Sequence, residues 1–244
     1  NKLNEEKAVN GSLGVTASFG AFTATVDGYF INVKDRIVLT GYFDATEIDP
    51  NVEEAQFFVN GIDTKTAGVD IVLAWKKKFG DSNFAATLVG NINHMTIGDV
   101  KNGTLDKEIF FGEREKKFLL ASAPANKFGL NLNYDKKWFN AGLAFTRFSK
   151  VELLDYQMYE DVADYGSFAD QIKAATDTYN AKIVTDLTLG FKLNKSSKLS
   201  IGANNLFNIY PDQQDDWVEA GGYWDAVQMG FSGAYYYARL GFTF

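Results

Sequence analysis

The last ten residues read YYYARLGFTF, Tyr235 to Phe244. Tyr236, Ala238, Leu240, Phe242 and Phe244 form one alternating set, apolar and aromatic, while Tyr235, Tyr237, Arg239, Gly241 and Thr243 form the other. A strand sends successive side chains to opposite faces. This segment is therefore a strand with a greasy face and a polar one. The fold turns on what the greasy face meets, a packed core or lipid.

The same period of two recurs upstream. GSLGVTASF sets Leu13, Val15, Ala17 and Phe19 against Ser12, Gly14, Thr16 and Ser18. TAGVDIVLAWK sets Ala67, Val69, Ile71, Leu73 and Trp75 against Thr66, Gly68, Asp70, Val72 and Ala74. FGLNLNY and AKIVTDLTLGFKL divide in the same way, and weaker alternation covers 22–33, 84–95, 139–148 and 199–207. With the terminal segment this makes nine strands, most near the ~9–11 residues that a tilted membrane-crossing strand needs. Polar residues at mid-strand, Asp27, Asp70, Asn131, Asn133, Asp186 and Arg239, fall on the less greasy face.

Connections alternate strictly between short and long. Tight turns fall at Gly20-Ala21, 77–82, 135–137 and 194–198, and long loops at 35–63, 96–126, 149–179 and 208–233. Hairpins begin near residues 11, 65, 127, 180 and 234, a loose repeat of two strands per unit. A kelch-type propeller has a similar period but needs four strands per blade. Three of the long loops are acidic, with net charges of −6, −5 and −5, while lysines cluster at the short-turn end. Phe19, Phe22, Trp75, Phe84, Tyr134, Trp138 and Phe139 all flank tight turns. Short turns on one side, long loops on the other and aromatic girdles are the layout of an outer-membrane barrel. A soluble barrel or sandwich would need a second layer over its apolar faces.

Composition sets the outer limits. The 244 residues include 15% aromatics, 22 Gly and 3 Pro, a mix that favours strands. There is no Cys, so no disulfide framework. A net charge of −7 argues against nucleic acid as partner. No apolar run approaches the ~20 residues of a spanning helix. The chain opens on NKLNEEKAVN, without initiator Met or signal peptide, and is expected to be a piece of a longer protein.

Five stretches, taken in order, resemble one family. GANNLFNIYPD, Gly202 to Asp212, followed by YYYARLGFTF, looks like the C-terminal end of TonB-dependent outer-membrane receptors: an N-L-F motif with a Tyr close behind it, a long loop and an Arg-containing last strand ending in Phe. EKAVNGSLGVTASF, VDGYFINVKDRIVLTG and NGIDTKTAGVDIVLAW, beginning at Glu6, Val26 and Asn60, are similar to three further strands of that family. Ser12 departs from the pattern, standing close to where many relatives carry an acid.

The resemblance implies an all-β fold, an antiparallel up-and-down transmembrane barrel. Residues 1–244 would be its C-terminal part, about nine strands with periplasmic turns and extracellular loops, in the bacterial outer membrane. A plug domain and the N-terminal barrel strands would lie elsewhere in the same chain. It implies import of a scarce ligand, an iron-siderophore, cobalamin, oligosaccharide or peptide, with energy delivered by a TonB-type protein. Outer-membrane lipid would surround the barrel. Phe244, with Phe242, would be the signal read by the barrel assembly machinery. Two other classes share some of these features: a passive outer-membrane channel or adhesin, and a soluble carbohydrate-binding β-domain.

Candidate binding residues are the loop aromatics Tyr156, Tyr159, Trp217, Tyr223 and Trp224, set among acids. Such rings suit sugars by stacking or cationic groups by cation–π contact. Acidic loops repel strongly anionic ligands, which favours a neutral one. Catalysis is not expected. The single His94 sits by parity on the greasy face, and Asp215, Asp216 and Glu219 are acids in a loop. Asp44, Asp49, Glu53 and Glu54 lack EF-hand spacing and read as a solvated acidic loop. No cofactor or metal is expected.

Overall fold

The computed structural model describes residues 2–46, 49–154, 166–214, 222–223 and 228–243. Its strands are β1 (Lys7–Phe19), β2 (Phe22–Leu39), β3 (Phe43–Asp44), β4 (Glu54–Ala55), β5 (Phe58–Phe79), β6 (Ser82–Val100), β7 (Asn126–Lys136), β8 (Phe139–Phe148), β9 (Val151–Leu154), β10 (Thr176–Tyr179), β11 (Lys182–Lys192), β12 (Ser197–Asn204) and β13 (Tyr235–Phe242). Nine of them form one antiparallel sheet in the order β1-β2-β5-β6-β7-β8-β11-β12-β13. Each strand pairs with its successor in that order, an up-and-down meander, and β1 and β13 are its two edges. The nine are the segments that alternation marks out.

Register fixes the faces. Phe19, Phe22, Trp75, Ala86, Leu132, Leu143, Leu187, Ala203 and Tyr236 are successive partners across all nine strands. The neighbouring row runs Ala17, Ala24, Leu73, Leu88, Leu130, Phe145 and Thr185. This is an almost unbroken apolar surface, bare at β1, where Leu13 is 83% exposed and Phe19 84%, and covered at Thr185 and Ala203 of β11 and β12, at 4% and 3%. An open apolar face of this size is unstable in water and stable in lipid. Lipid also explains the meander, since it solvates no backbone and every interior strand must be paired on both sides.

The opposite face is polar and carries Thr16, Thr25, Asp27, Tyr29, Asp70, Asn91, Asn131, Asn133, Asp186 and Thr188. Several of its longer side chains lie flat over a glycine on the neighbouring strand. Tyr29 covers Gly68, Tyr237 covers Gly202, Asn140 covers Gly190 and Asp27 covers Gly14. A cross-strand glycine leaves the space the ring or carboxamide needs, and the covering group shields backbone that would otherwise be bare.

Aromatic rings collect at the short-turn end. Trp75 lies 5.8 Å from Phe84 and 6.4 Å from Phe79, centroid to centroid. Phe139 contacts Trp138 at 5.6 Å, Tyr134 at 6.3 Å and Phe191 at 5.3 Å. These rings mark one membrane interface.

The long-loop end departs from the sequence expectation. Residues 35–63 and 96–126 read as loops, yet β2 continues to Leu39, β5 begins at Phe58 and β6 reaches Val100. The cause is a bulge. Asp35 takes φ 56° and the β2–β5 register shifts on both sides of Arg36, which breaks the period of two. Beyond β6 come two helices, α1 (Lys107–Phe111) and α2 (Glu113–Ala121), and a third, α3 (Phe168–Ala174), follows β9. Asp106 caps α1 by accepting from the Glu108 and Ile109 amides. Phe110 and Phe111 then pack on Val38 and Ile62 of the raised wall, while Ala121 joins Val151, Leu153 and Tyr179 in a second cluster. Ile62 shares the inward face of β5 with Thr64, Gly68 and Asp70, so the helices fold over the concave side. The buried apolar residues thus sit at the loop end, and the spanning wall has no core of its own.

Candidate functional site

The inner wall and the loop layer above it form the candidate site. Asn91 donates from Nδ2 to Asp70 Oδ1 at 2.7 Å and to the Tyr29 hydroxyl at 3.0 Å. Asn93 Nδ2 donates to Asn91 Oδ1 at 3.1 Å and to the Pro124 carbonyl at 2.9 Å, tying the wall to the end of the α2 loop. Across the sheet, the Thr188 and Tyr237 hydroxyls share a hydrogen bond at 3.0 Å. Asn131, Asn133, Asn140, Asp186 and Thr188 line a recess of about 350 Å³ in the wall. Nearer the mouth, Thr146, Phe148, Asp186, Asn204 and Met229 line one of about 270 Å³. Amides, hydroxyls and carboxylates in such a wall are hydrogen-bonding partners for a polar guest. Among the described residues no nucleophile and base are brought together in it.

The residues of the quoted motifs are the ties that hold the mouth. Asn60 Nδ2 donates to the Asp35 carbonyl at 2.7 Å and to the Asn4 carbonyl at 2.9 Å, and Asn60 Oδ1 accepts from the Asn4 amide at 2.7 Å. Glu6 Oε1 accepts from the Ile37 amide at 2.6 Å. Lys101 Nζ stands 2.6 Å from both Asp35 and Asp63, and Asp63 also accepts the Asp35 amide at 2.9 Å. The Lys101 hydrogen bond, with that amide and the charge of Lys34, holds the Asp63 carboxyl below its ordinary value. Asp35 and then Asp63 raise the Lys101 ammonium.

The second motif, Asn205-Leu206-Phe207 with Tyr210 three residues on, is a turn. Asn205 takes φ 50° and Asn208 φ 55°. Asn205 Oδ1 accepts from the Ile209 amide at 2.8 Å, its Nδ2 donates to the Ile209 carbonyl at 2.7 Å, and its own amide donates to Asp186 Oδ1 at 2.7 Å. Asn208 Oδ1 accepts from the Ala234 amide at 2.9 Å, and the Tyr236 hydroxyl donates to the Leu206 carbonyl at 3.2 Å. Next along the chain, Asp212 pairs with Lys182 and accepts from the Asn180 amide at 2.7 Å. Burial raises the Asp212 carboxyl, but these donors outweigh it and leave it lowered.

Of the expected binding aromatics, Tyr223 is described. Its ring stacks on Tyr210 at 6.1 Å and on Phe231 at 5.6 Å, which joins the two ends of the last loop. Tyr156, Tyr159, Trp217 and Trp224 lie outside the described residues, as do Phe244, Asp215, Asp216 and Glu219. Phe242 ends β13 on the lipid face, paired with Ser197. His94 pairs with Ala67 on the same outward face, as its parity indicates. Asp44 spends a carboxylate oxygen on the Thr46 amide and hydroxyl, and Asp49 spends one on the Asn51 amide and side chain. These donors lower both carboxyls, the Thr46 hydroxyl leading at Asp44 and the Asn51 amide at Asp49. Among the described residues no three His, Cys, Asp or Glu converge as a metal set.

A nine-stranded open meander, lipid-facing outside and polar inside, with turns at one end and a folded loop layer at the other, is a segment of a membrane β-barrel wall. The sequence matches the family described as TonB dependent receptor-like, beta-barrel over residues 1–206, and the chain belongs to that family. The family is one of outer-membrane transport receptors, not enzymes, which places the chain in the bacterial outer membrane. Similar solved structures include the FrpB iron transporter from Neisseria meningitidis (14% identity, TM-score 0.59, 98% of this chain and 32% of that one). The pyoverdine outer membrane receptor FpvA from Pseudomonas aeruginosa PAO1 matches with 12% identity and TM-score 0.57, over 99% of this chain and 30% of that one. The copper transporter OprC matches with 17% identity and TM-score 0.56, over 100% of this chain and 32% of that one. At these identities the likeness is one of fold, and the chain spans about a third of the length of each. No curated protein sequence matches it.

Proposed function

We propose that residues 1–244 are the C-terminal part of the barrel of an active-transport receptor, which binds a scarce ligand at the loop end and imports it with energy from the inner membrane. On this reading the rest of the chain supplies the strands that close β1 and β13 and a plug that fills the polar lumen. A TonB-type protein energises the plug, and the barrel assembly machinery reads Phe242 and Phe244. The polar inner wall carries the proposal: its Asn, Asp, Thr and Tyr side chains point into a space that water or a polar domain must occupy. A passive channel would share that wall. The loop layer folded over the concave side favours the gated receptor.

Charge narrows the ligand. The stretches 40–57, 149–179 and 208–233 at the loop end are acidic, and the wall recess adds Asp186 without a basic residue. A neutral oligosaccharide or peptide fits these surroundings better than an anionic ferric catecholate. Calorimetry on the full-length protein in detergent, against maltodextrins, short peptides, cobalamin and ferric catecholate, tests the choice. Binding of a neutral ligand is expected. Tightest binding of the catecholate would overturn it, and uptake that survives a protonophore would overturn active transport.

A further inference from the structure

One inward row crosses the wall near its loop end. Asp70 faces Asn91, Asn91 faces Lys127, Lys127 faces Phe148 and Phe148 faces Lys182. Lys127 is exposed, and its Nζ stands over the Phe148 ring, 4.8 Å from the centroid. Four residues further towards the short turns on β8, Ala144 faces Asp186 of β11. Phe148 and Asp186 line the same mouth recess, the one of about 270 Å³. That recess therefore runs from an ammonium beside its loop end to a carboxylate deeper in, with an aromatic ring between.

Among the described residues neither Lys127 nor Asp186 forms an ion pair. The charged groups around them are placed elsewhere. Asp70 and Asp27 stand two and three strands from Lys127, and Asp70 already accepts from Asn91. Lys182 pairs with Asp212, and Asp135 lies eight residues from Lys127 at the turn end of β7. Asp186 gives Oδ1 to the Asn205 amide at 2.7 Å, which leaves its charge to the recess. A carboxylate so placed binds an ammonium more strongly than a hydroxyl.

We propose that the mouth recess binds a short peptide with free ends, its ammonium on Asp186 and its carboxylate on Lys127. Four residues of β8 cover about 14 Å along the wall, the span of an extended tetrapeptide between its charged ends. Such a peptide carries one charge of each sign, so it is neutral overall and escapes the repulsion that acidic loops exert on an anion. Thr146, Asn204 and Ser232 supply hydrogen bonds for its backbone, and Phe148 and Met229 supply apolar contact. A neutral oligosaccharide has no charge to set at either pole. The inference names the ligand class within the proposed reading of a receptor for a neutral ligand, and rests on that reading.

Calorimetry on the full-length protein in detergent tests it, with tetra-alanine, its N-acetylated form, its C-amidated form and maltotetraose as probes. Salt at about 0.5 M screens the long-range field of the loops. Tetra-alanine should bind, and each blocked form should bind about tenfold more weakly, the worth of one charge-assisted hydrogen bond. Asp186→Asn keeps an acceptor for the Asn205 amide but loses the charge. It should bind free and acetylated peptide alike while still preferring the free carboxylate, and Lys127→Gln should do the converse. Equal binding of free and blocked peptides by the wild type overturns the proposal, as does tighter binding of maltotetraose or no binding of any peptide. Variants that keep both preferences overturn the two poles. If neither variant folds, the blocked peptides on wild-type protein still decide. Protonophore-sensitive uptake without peptide binding would sink this site and leave the receptor reading standing, and peptide binding without such uptake would do the reverse.

Discussion

Replacing Asn205 tests whether the N-L-F motif is a structural lock. The residue is 8% exposed and sits at φ 50°, where its carboxamide closes a ring with both backbone groups of Ile209. Asn205→Ala removes two hydrogen bonds, each worth about 1 kcal/mol net. It also places a Cβ-bearing residue without a polar tip in the left-handed region, at a cost of about 1 kcal/mol more. The expected loss is about 3 kcal/mol. Asn205→Gly loses the same hydrogen bonds but tolerates the conformation, so it should lose about 2 kcal/mol. The bond from the Asn205 amide to Asp186 is backbone-borne and survives in both. Urea unfolding of the full-length protein in lipid gives the global change from the midpoint. Hydrogen exchange at the Leu206 and Ile209 amides reads local opening if the turn yields before the wall. Alanine and glycine variants that agree within about 0.3 kcal/mol would refute the conformational argument, and no change in exchange for either would refute the lock itself.

Two glycines separate ring packing from backbone packing. A Cβ at Gly90 would clash with two Phe128 ring atoms, at 2.6 Å, and with no backbone, so Phe128→Leu should recover most of the stability lost in Gly90→Ala. A Cβ at Gly202 would meet the Tyr237 ring and also the Leu187 carbonyl at 2.6 Å, so trimming Tyr237 should not rescue Gly202→Ala. A double-mutant cycle by urea unfolding checks both, and equal rescue at the two sites contradicts the geometry. Asn60→Ala releases Asn4 and the Asp35 carbonyl together and should cost about 1–2 kcal/mol, with faster amide exchange at Asn4 as its local mark. Lys101→Met bears on pH. Asp63 is held low when folded, so its stabilisation is present above the ordinary carboxylate value and lost as pH falls through the lowered one. Lys101→Met should therefore open the Asp35–Asp63 corner at a higher pH than wild type, read by exchange at the Asp35 amide, and identical profiles would refute the clamp.

The wall was legible in the sequence because its two faces meet different solvents, and that difference is written at every second residue. Legibility failed where the period broke. Asp35 adds a residue to β2, so Ile37 and Val38 fall out of step and the raised strands read as loop. The segment 199–207 read as one strand, but Asn205 turns left-handed and β12 ends at Asn204. The helices α1 and α2 lie in the one long loop whose charges balance, DKEIFFGEREKKFLLA, and an acid ahead of the apolar run was the available signal. Motif residues were legible as a pattern, while their work as hydrogen-bonded ties depends on partners up to 56 residues away, such as Asn4 and Asn60. Tyr223 has the ring chemistry of a binding aromatic, and the partners of that ring, Tyr210 and Phe231, are set by the closure of the loop rather than by spacing.

The two halves of the molecule owe their stability to different solvents. In the wall, lipid withholds hydrogen bonds from the backbone, so pairing of the nine strands is obligatory and side chains need no core. At the loop end, water drives Phe110 and Phe111 onto Val38 and Ile62, and Ala121 onto Val151, Leu153 and Tyr179. The clusters share few residues with the spanning rows, so the loop layer can open or be remodelled while the sheet stays intact. On the proposed function, recognition can then change by substitution in the loops, because what fixes the barrel in the membrane lies in another part of the chain. The ties at Asn60, Lys101 and Asn205 stand at the junction between the two, where the polar wall must hand its backbone hydrogen bonds from strand partners to side chains.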